Sequence, residues 1–315
     1  MQIDPHFWDR NPHVIPHLQA FGLEHAFAFT SRGLQILRTR HGLPYSLWSV
    51  RDFLTIGPGA KTIDVIGDGF TCKAEIRALW QAWPGKRIFP AGVLFTPDLA
   101  PGDQGLFWNS WSGWAVAPDG RADWSLIERF IRDRIASGSE AQTAYVLDWL
   151  AQMVQRPAER PGTALVLETG DSDVPLLLAR IIRRLAGSHS YNVDPILYGG
   201  PIPSRDLLIG HATLALDTGT KPRLAKLRRL LAGEAVRPQR DYRPQINYQR
   251  FMLSAAPGAT PDWPELVPIT AGRFGRTLDE FNAIEAQLET GAGGFLAHLM
   301  GRDLSRFDPR ASIAA

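Results

Sequence analysis

The chain has 315 residues, a formal net charge of +2, 44% hydrophobic and 21% charged residues, the make-up of a folded protein with a sizeable core. No apolar run approaches the ~20 residues of a membrane span, and the N-terminus MQIDPHFWDRNPH lacks the basic flank and apolar core of a signal peptide. The single cysteine, Cys72, excludes an internal disulfide and a thiolate zinc cluster and fits a reducing cytoplasm.

Residues 1–118 read as a small, tryptophan-rich α+β domain. Nine of the ten tryptophans precede residue 150. The short apolar segments Ala26–Thr30, Leu34–Arg38, Tyr45–Val50 and Thr62–Ile66 have Gly or Pro nearby and are expected to be strands. Cys72–Trp83 reads as a helix stopped by Pro84-Gly85, and IFPAGVLFTP and Trp108–Trp114 read as extended. His6, His13, His17 and His25 lie close together, yet Pro16 interrupts the His13–His17 interval and no Asp or Cys completes a ligand set. Surface or core positions are expected rather than a metal site. The Trp108–Trp114 cluster would suit base stacking, but a packed aromatic core is the favoured reading.

Residues 119–160 read as a helical connector. Trp124, Ile127, Phe130, Ile131 and Ile135 form one apolar stripe, and Tyr145, Leu147, Trp149, Leu150 and Val154 form another. Ser137-Gly138-Ser139 separates them. Pro157 and Pro161-Gly162 lead into the stretch that organises residues 161–315. There Thr163–Glu168 is a buried strand, Gly170-Asp171-Ser172-Asp173 a turn, and Pro175 sits in the first turn of a helix. Leu176, Leu177, Ile181, Ile182 and Leu185 repeat at helical spacing up to Gly187.

Strand, loop and helix make the frame of a phosphate-binding P-loop, G-x-x-x-x-G-K-[ST]. Laid on it, Gly170 takes the first glycine, Pro175 the second, Leu176 the lysine and Leu177 the hydroxyl residue. The frame is present and its chemistry is missing. A phosphate cradle needs free backbone N–H groups and a cation. This loop offers Asp171 and Asp173 instead, and one carboxylate about 5 Å from a phosphate charge repels it by roughly 3 kcal/mol. No G-x-G-x-x-G cofactor motif is present.

Further on, His211–Asp217 reads as a second strand ending in an acid, Arg223–Leu231 as a basic helix, and Phe251–Ala255 as a third strand. Thr277–Glu289 and Phe295–Met300 read as two helices. The alternation predicts an α/β parallel sheet over residues 161–275. An ATPase of this layout ends its second strand in Asp-Glu, for magnesium and for the attacking water. Here the pair is Asp217-Thr218. Between Lys221 and Arg250 nine basic residues face two acidic ones. Arg237, Arg240, Tyr242, Arg243, Tyr248 and Arg250 would form a hairpin suited to nucleic acid; a solvated basic face is the other reading.

The order of these segments resembles the superfamily 3, AAA+-type helicase domain of phage and plasmid primase–polymerase proteins. The matching segments are LDWLAQMVQRPAERPGTALVLETG, LARIIRRLAGSH, LALD, LRRLLAGEAV, FMLSA, AGRFGRTL and HLMGRDLSRFDPR, preceded by FPAGVLFTPD and FWNSWSGWAVAPDG. They span most of residues 80–310. The resemblance implies a P-loop NTPase sheet with flanking helices, ring assembly, ATP-driven translocation on single-stranded DNA, and a basic hairpin at Arg237–Arg250. The departures fall on catalytic positions: Leu176 for lysine, Thr218 for the catalytic glutamate, Ala255 or Ala256 for the sensor asparagine, and Gly272 for the first arginine of Arg-Arg-Phe. Asp217 and Arg273 remain; Arg273 would face a neighbouring subunit's phosphate, or be a surface arginine beside a packed Phe274. The pattern implies a helicase-like pseudoenzyme with no cofactor of its own, ATP and Mg entering only if the degenerate site still binds. It would act on single-stranded DNA or on a replication or defence protein, in a homo- or hetero-oligomeric ring. A residual ATPase working with an intact partner and a purely structural interaction module are the alternatives.

Overall fold

The computed structural model describes residues 6–30, 32–40, 43–67, 69–192, 209–213, 221–234, 246, 248–274 and 279–311. The chain divides into two units, one running to Phe95 and including Pro101–Ser110, the other comprising Thr96–Ala100 and everything from Trp111 on. Residues 119–160, expected as a connector, lie in the second unit.

In the first unit, strands β1 (His25–Thr30), β2 (Gly33–Arg40), β3 (Leu43–Ser49) and β6 (Ile88–Phe89) form a sheet in the order β3-β2-β1-β6. Alternation puts the two sides of β1 in two apolar clusters. Phe27 packs with Leu18, Ile36, Phe53, Leu79 and Trp80, while Ala26 and Ala28 meet Leu37, Phe89 and Val93. The helix expected over Cys72–Trp83 is confined to Ile76–Ala82. Thr71–Glu75 (β5) is instead a strand, paired antiparallel with Thr62–Ile66 (β4), and Gly92–Leu94 (β7), Gly102–Asp103 (β8) and Phe107–Asn109 (β9) form a further small sheet. The alternating TCKAE finds a cross-strand partner, and the apolar pair Leu79 and Trp80 belongs to IRALWQA alone. Two of the N-terminal histidines meet backbone carbonyls, while His6 and His17 are exposed. His25 Nδ1 bonds the Phe21 carbonyl at 2.9 Å, and His13 Nε2 lies 2.9 Å from the Asp64 carbonyl oxygen.

The second unit holds a wholly parallel sheet of strands β10 (Ala164–Glu168), β11 (Ser190–Asn192), β12 (Ile209–Thr213), β13 (Arg250–Ala255) and β14 (Leu266–Thr270), in the order β11-β12-β13-β10-β14. Ala164, Leu165, Val166 and Leu167 are all buried, as a strand covered on both faces requires. On one face Ala164, Val166, Phe251 and Leu253 pack with Leu227, Leu230 and Leu231 from the helix Lys221–Leu231. The strand expected at His211–Asp217 begins earlier, at Ile209, and residues 214–217 lie outside the described residues.

Two helical stretches, Ser125–Ile135 (its last turn a π-helix) and Glu140–Gln155, flank Ser137-Gly138-Ser139. They pack with the helix Asp279–Gly301. That helix is continuous through Gly291–Gly294, where two separate helices were expected. The glycines mark close packing rather than a break. A Cβ on Gly291 would run into the Asp123 carbonyl oxygen and one on Gly294 into that of Ala122. The Asp119 N–H donates to the Gly293 carbonyl at 3.0 Å.

Candidate functional site: the loop after the central strand

The helix that follows β10 runs Asp173–Ala186 with Pro175 in its first turn. Between strand and helix, Thr169, Gly170, Asp171 and Ser172 form a loop held by its own side chains. The Thr169 hydroxyl donates to the Gly272 carbonyl at 3.1 Å and accepts from the Asp171 N–H at 3.0 Å. The Asp171 carboxylate accepts from the Asp173 N–H at 2.9 Å with one oxygen and from the Phe274 N–H at 2.8 Å with the other. An anion of the chain itself therefore takes a backbone N–H at the helix start, the kind of group that favours phosphate. It also ties the loop to the segment after β14.

Glu168, at the end of β10, accepts from the Gly258 and Thr260 N–H groups, each at 3.1 Å. Burial acts to raise its pKa, but the bonds from Thr260 and Gly258 outweigh it and hold the carboxyl below its ordinary value. Arg273 is exposed, and one of its guanidinium nitrogens lies 2.8 Å from where a Cβ on Gly170 would stand. Phe274 beside it is packed, stacked on Phe130 with ring centroids 5.7 Å apart and against Phe281 at 5.9 Å.

The two leucines of the loop frame part company. Leu177 is fully buried, whereas Leu176 is 45% exposed and lines a cavity of about 540 Å³. The residues at the lysine and hydroxyl positions of the motif therefore do not both pack into the core. A step of one residue turns a helix by about 100°, so Leu177, Leu178, Ile181 and Ile182 face the core and Leu176 does not. The cavity is bounded by the loop, by Ala179, by the end of β13 (including Ser254 to Ala256) and by Asn192 at the end of β11. This is the carboxyl edge of the sheet, beside the point where the chain crosses from β13 over β10 to β14, the position at which open parallel sheets hold ligands.

The basic segment is placed in part. Arg237, Arg240, Tyr242, Arg243, Asp217 and Thr218 lie outside the described residues. Tyr248 and Arg250 are described, and they are not surface residues. Tyr248 is 8% exposed and Arg250 fully buried. The Arg250 guanidinium donates to the carbonyls of Arg156 (2.8 Å), Pro157 (3.0 Å), Tyr248 (3.2 Å) and Glu159. Arg250 is thus the first residue of β13 and a clamp on the turn after Gln155, which corrects its expected place on a nucleic-acid hairpin. Of the tryptophan cluster, Trp111 is buried and packs edge-on to Trp114 at 5.3 Å and against His189 at 4.7 Å. Ser112 Oγ lies within hydrogen-bond distance of His189 Nε2, at 2.8 Å.

Sequence reasoning missed the Asp171 clamp and the Glu168 bonds. An Asp two residues ahead of a helix start is a signal for the first, through its tendency to bond a backbone N–H two residues on. Among the described residues no His, Cys, Asp and Glu group is placed to hold a metal ion, and no helix is long and apolar enough to cross a membrane.

No family model and no curated protein matches the chain. Solved structures do. The apo structure of the NrS-1 C-terminal region (305–718) superposes with a TM-score of 0.69 at 14% identity, over 99% of this chain and 73% of that one. The chain has the fold of the NrS-1 C-terminal region. Two A-form apo structures of the same region agree, with TM-scores of 0.67 and 0.66 at 14% and 15% identity, over 95% of this chain and 71% and 70% of theirs.

Proposed function

We propose that this chain is a phage or mobile-element replication protein of helicase-like fold whose nucleotide loop no longer serves a triphosphate, and that it works by binding single-stranded DNA or a protein partner. Support comes from the fold shared with the NrS-1 C-terminal region and, separately, from the primase–polymerase helicase resemblance of the sequence. The observation that carries the reading is Asp171. Its carboxylate lies in the loop where a phosphate would be cradled and accepts the N–H groups of Asp173 and Phe274. Leu176 stands at the lysine position of the motif. Negative charge in place of the cation turns a phosphate cradle against its ligand.

A calorimetric titration with Mg-ATP tests this. The expected result is no binding tighter than about 100 μM, near −5.5 kcal/mol. Tighter, magnesium-dependent binding that Asp217→Ala abolishes would establish the second reading, a residual ATPase subunit. That reading draws on the open cavity beside the loop and on the exposed Arg273 over Gly170.

A further inference from the structure

The cavity beside the loop outlasts the loss of phosphate chemistry. Its volume of about 540 Å³ falls in the range of small-molecule pockets, about 300–1,000 Å³. Pro175, Leu176 and Ala179 of the helix and Met252 of β13 supply apolar walls, and Thr169 and Asp171 supply polar groups at the loop. Leu176 is free to pack on a ring, being 45% exposed. Among the described lining residues Asp171 is the one charged side chain. Arg273 covers Gly170 but does not line the cavity.

We propose that this cavity binds an uncharged, ring-bearing ligand of nucleoside size, and that Asp171 bars the phosphorylated form of the same ligand. The proposal rests on the reading that the loop has lost its triphosphate, and it names the ligand class that the site retains. The wall chemistry suits a ring with a few hydrogen-bonding groups. The charge chemistry is fixed because both Asp171 oxygens are held by backbone N–H groups, so the carboxylate stays where an incoming phosphate would have to sit. A phosphate charge about 5 Å away is disfavoured on the order of a hundredfold.

The experiment is a calorimetric titration of the full chain with adenosine and thymidine, and with their triphosphates in the presence of magnesium. One nucleoside is expected to bind, with its triphosphate weaker by about a hundredfold. Asp171→Asn removes the charge and gives up one of the two backbone N–H bonds; with its fold confirmed by circular dichroism, it is expected to narrow that gap by about tenfold or more. Leu176→Ala, at an exposed position that the fold does not need, is expected to weaken the nucleoside by about tenfold, with the melting temperature unchanged. If neither nucleoside binds at millimolar concentration, or if folded Asp171→Asn leaves the ratio unchanged, the proposal fails and the loop reading stands. A wild-type chain that binds the triphosphate more tightly than the nucleoside overturns both.

Discussion

Two buried basic residues show what single side chains do here. His25 stacks on Phe21 with ring centroids 4.1 Å apart. Burial pulls its pKa below 6.5, an effect the bond to the Phe21 carbonyl only partly opposes. The unfolded chain therefore takes up this proton at a higher pH than the folded one. Stability is complete above pH 6.5 and falls as pH drops from there toward the folded value, by at most about 1.4 kcal/mol per pH unit. Trp80, whose ring lies 6.1 Å from His25, reports the unfolding by fluorescence. His25→Gln should flatten the slope between pH 6.5 and the carboxylate range, and an unchanged slope would remove His25 from the account. For Arg250, burial pushes the guanidinium down to about 9, so it remains a cation at neutral pH. Its removal takes the guanidinium donor from the carbonyls of Arg156, Pro157 and Glu159, of which Arg156 keeps the Glu159 N–H at 2.9 Å. Arg250→Ala is expected to cost about 3–5 kcal/mol, read as a lowered urea midpoint. A loss under about 1 kcal/mol would show that water replaces the guanidinium.

At the scale of elements, the helix Asp279–Gly301 sets local propensity against packing. Gly→Ala inside a helix gains about 1 kcal/mol by propensity. At Gly294 the new methyl meets the Ala122 carbonyl oxygen and backbone must move, which costs about 1–3 kcal/mol as overpacking does. Gly294→Ala should therefore lower the melting temperature. Gly301→Ala, where a Cβ meets nothing within 4 Å, should leave it unchanged or raise it. Equal gains at both positions would refute the close-packing account. The same contrast explains what the sequence concealed. The apolar runs at Thr163–Glu168 and Phe251–Ala255 were legible because a fully buried strand advertises itself in composition. The Gly291–Gly294 run looked like a break because a glycine's local cost is visible and the carbonyl it accommodates is more than 160 residues away in the chain. Leu176 and Leu177 look alike in a stripe, and only the orientation of the helix on the sheet separates a cavity wall from a core residue. The Arg250 clamp was hidden for a related reason: an arginine in a basic run looks solvated until the turn whose carbonyls it binds is folded against it.

Across the whole molecule, the basic excess between Lys221 and Arg250 is smaller in effect than in count. The chain as a whole carries only +2, so any attraction to a polyanion must be local. Arg250 is buried. Arg229 pairs with Glu234 at 3.4 Å, and Arg228 pairs with Glu265 at 3.6 Å while its guanidinium covers the Trp263 ring at 4.7 Å. Both pairs are at the surface, and each arginine's charge is partly offset by its own carboxylate. Single-stranded DNA binding would therefore draw on Arg237, Arg240 and Arg243, with Lys221 and Arg223 at the start of their helix. Three to five phosphate contacts correspond to a slope of log K against log salt between about −2 and −3.5 for a single strand. Fluorescence anisotropy with a labelled oligonucleotide measures it. Reversing Arg240 and Arg243 to Glu should weaken binding and make the slope shallower by at least about 1.4, because two neutralised phosphates are lost. Arg228→Glu, which breaks the surface pair with Glu265, should change it much less. Affinity indifferent to salt, or to the double reversal, would move the function off this segment and onto a protein-binding surface.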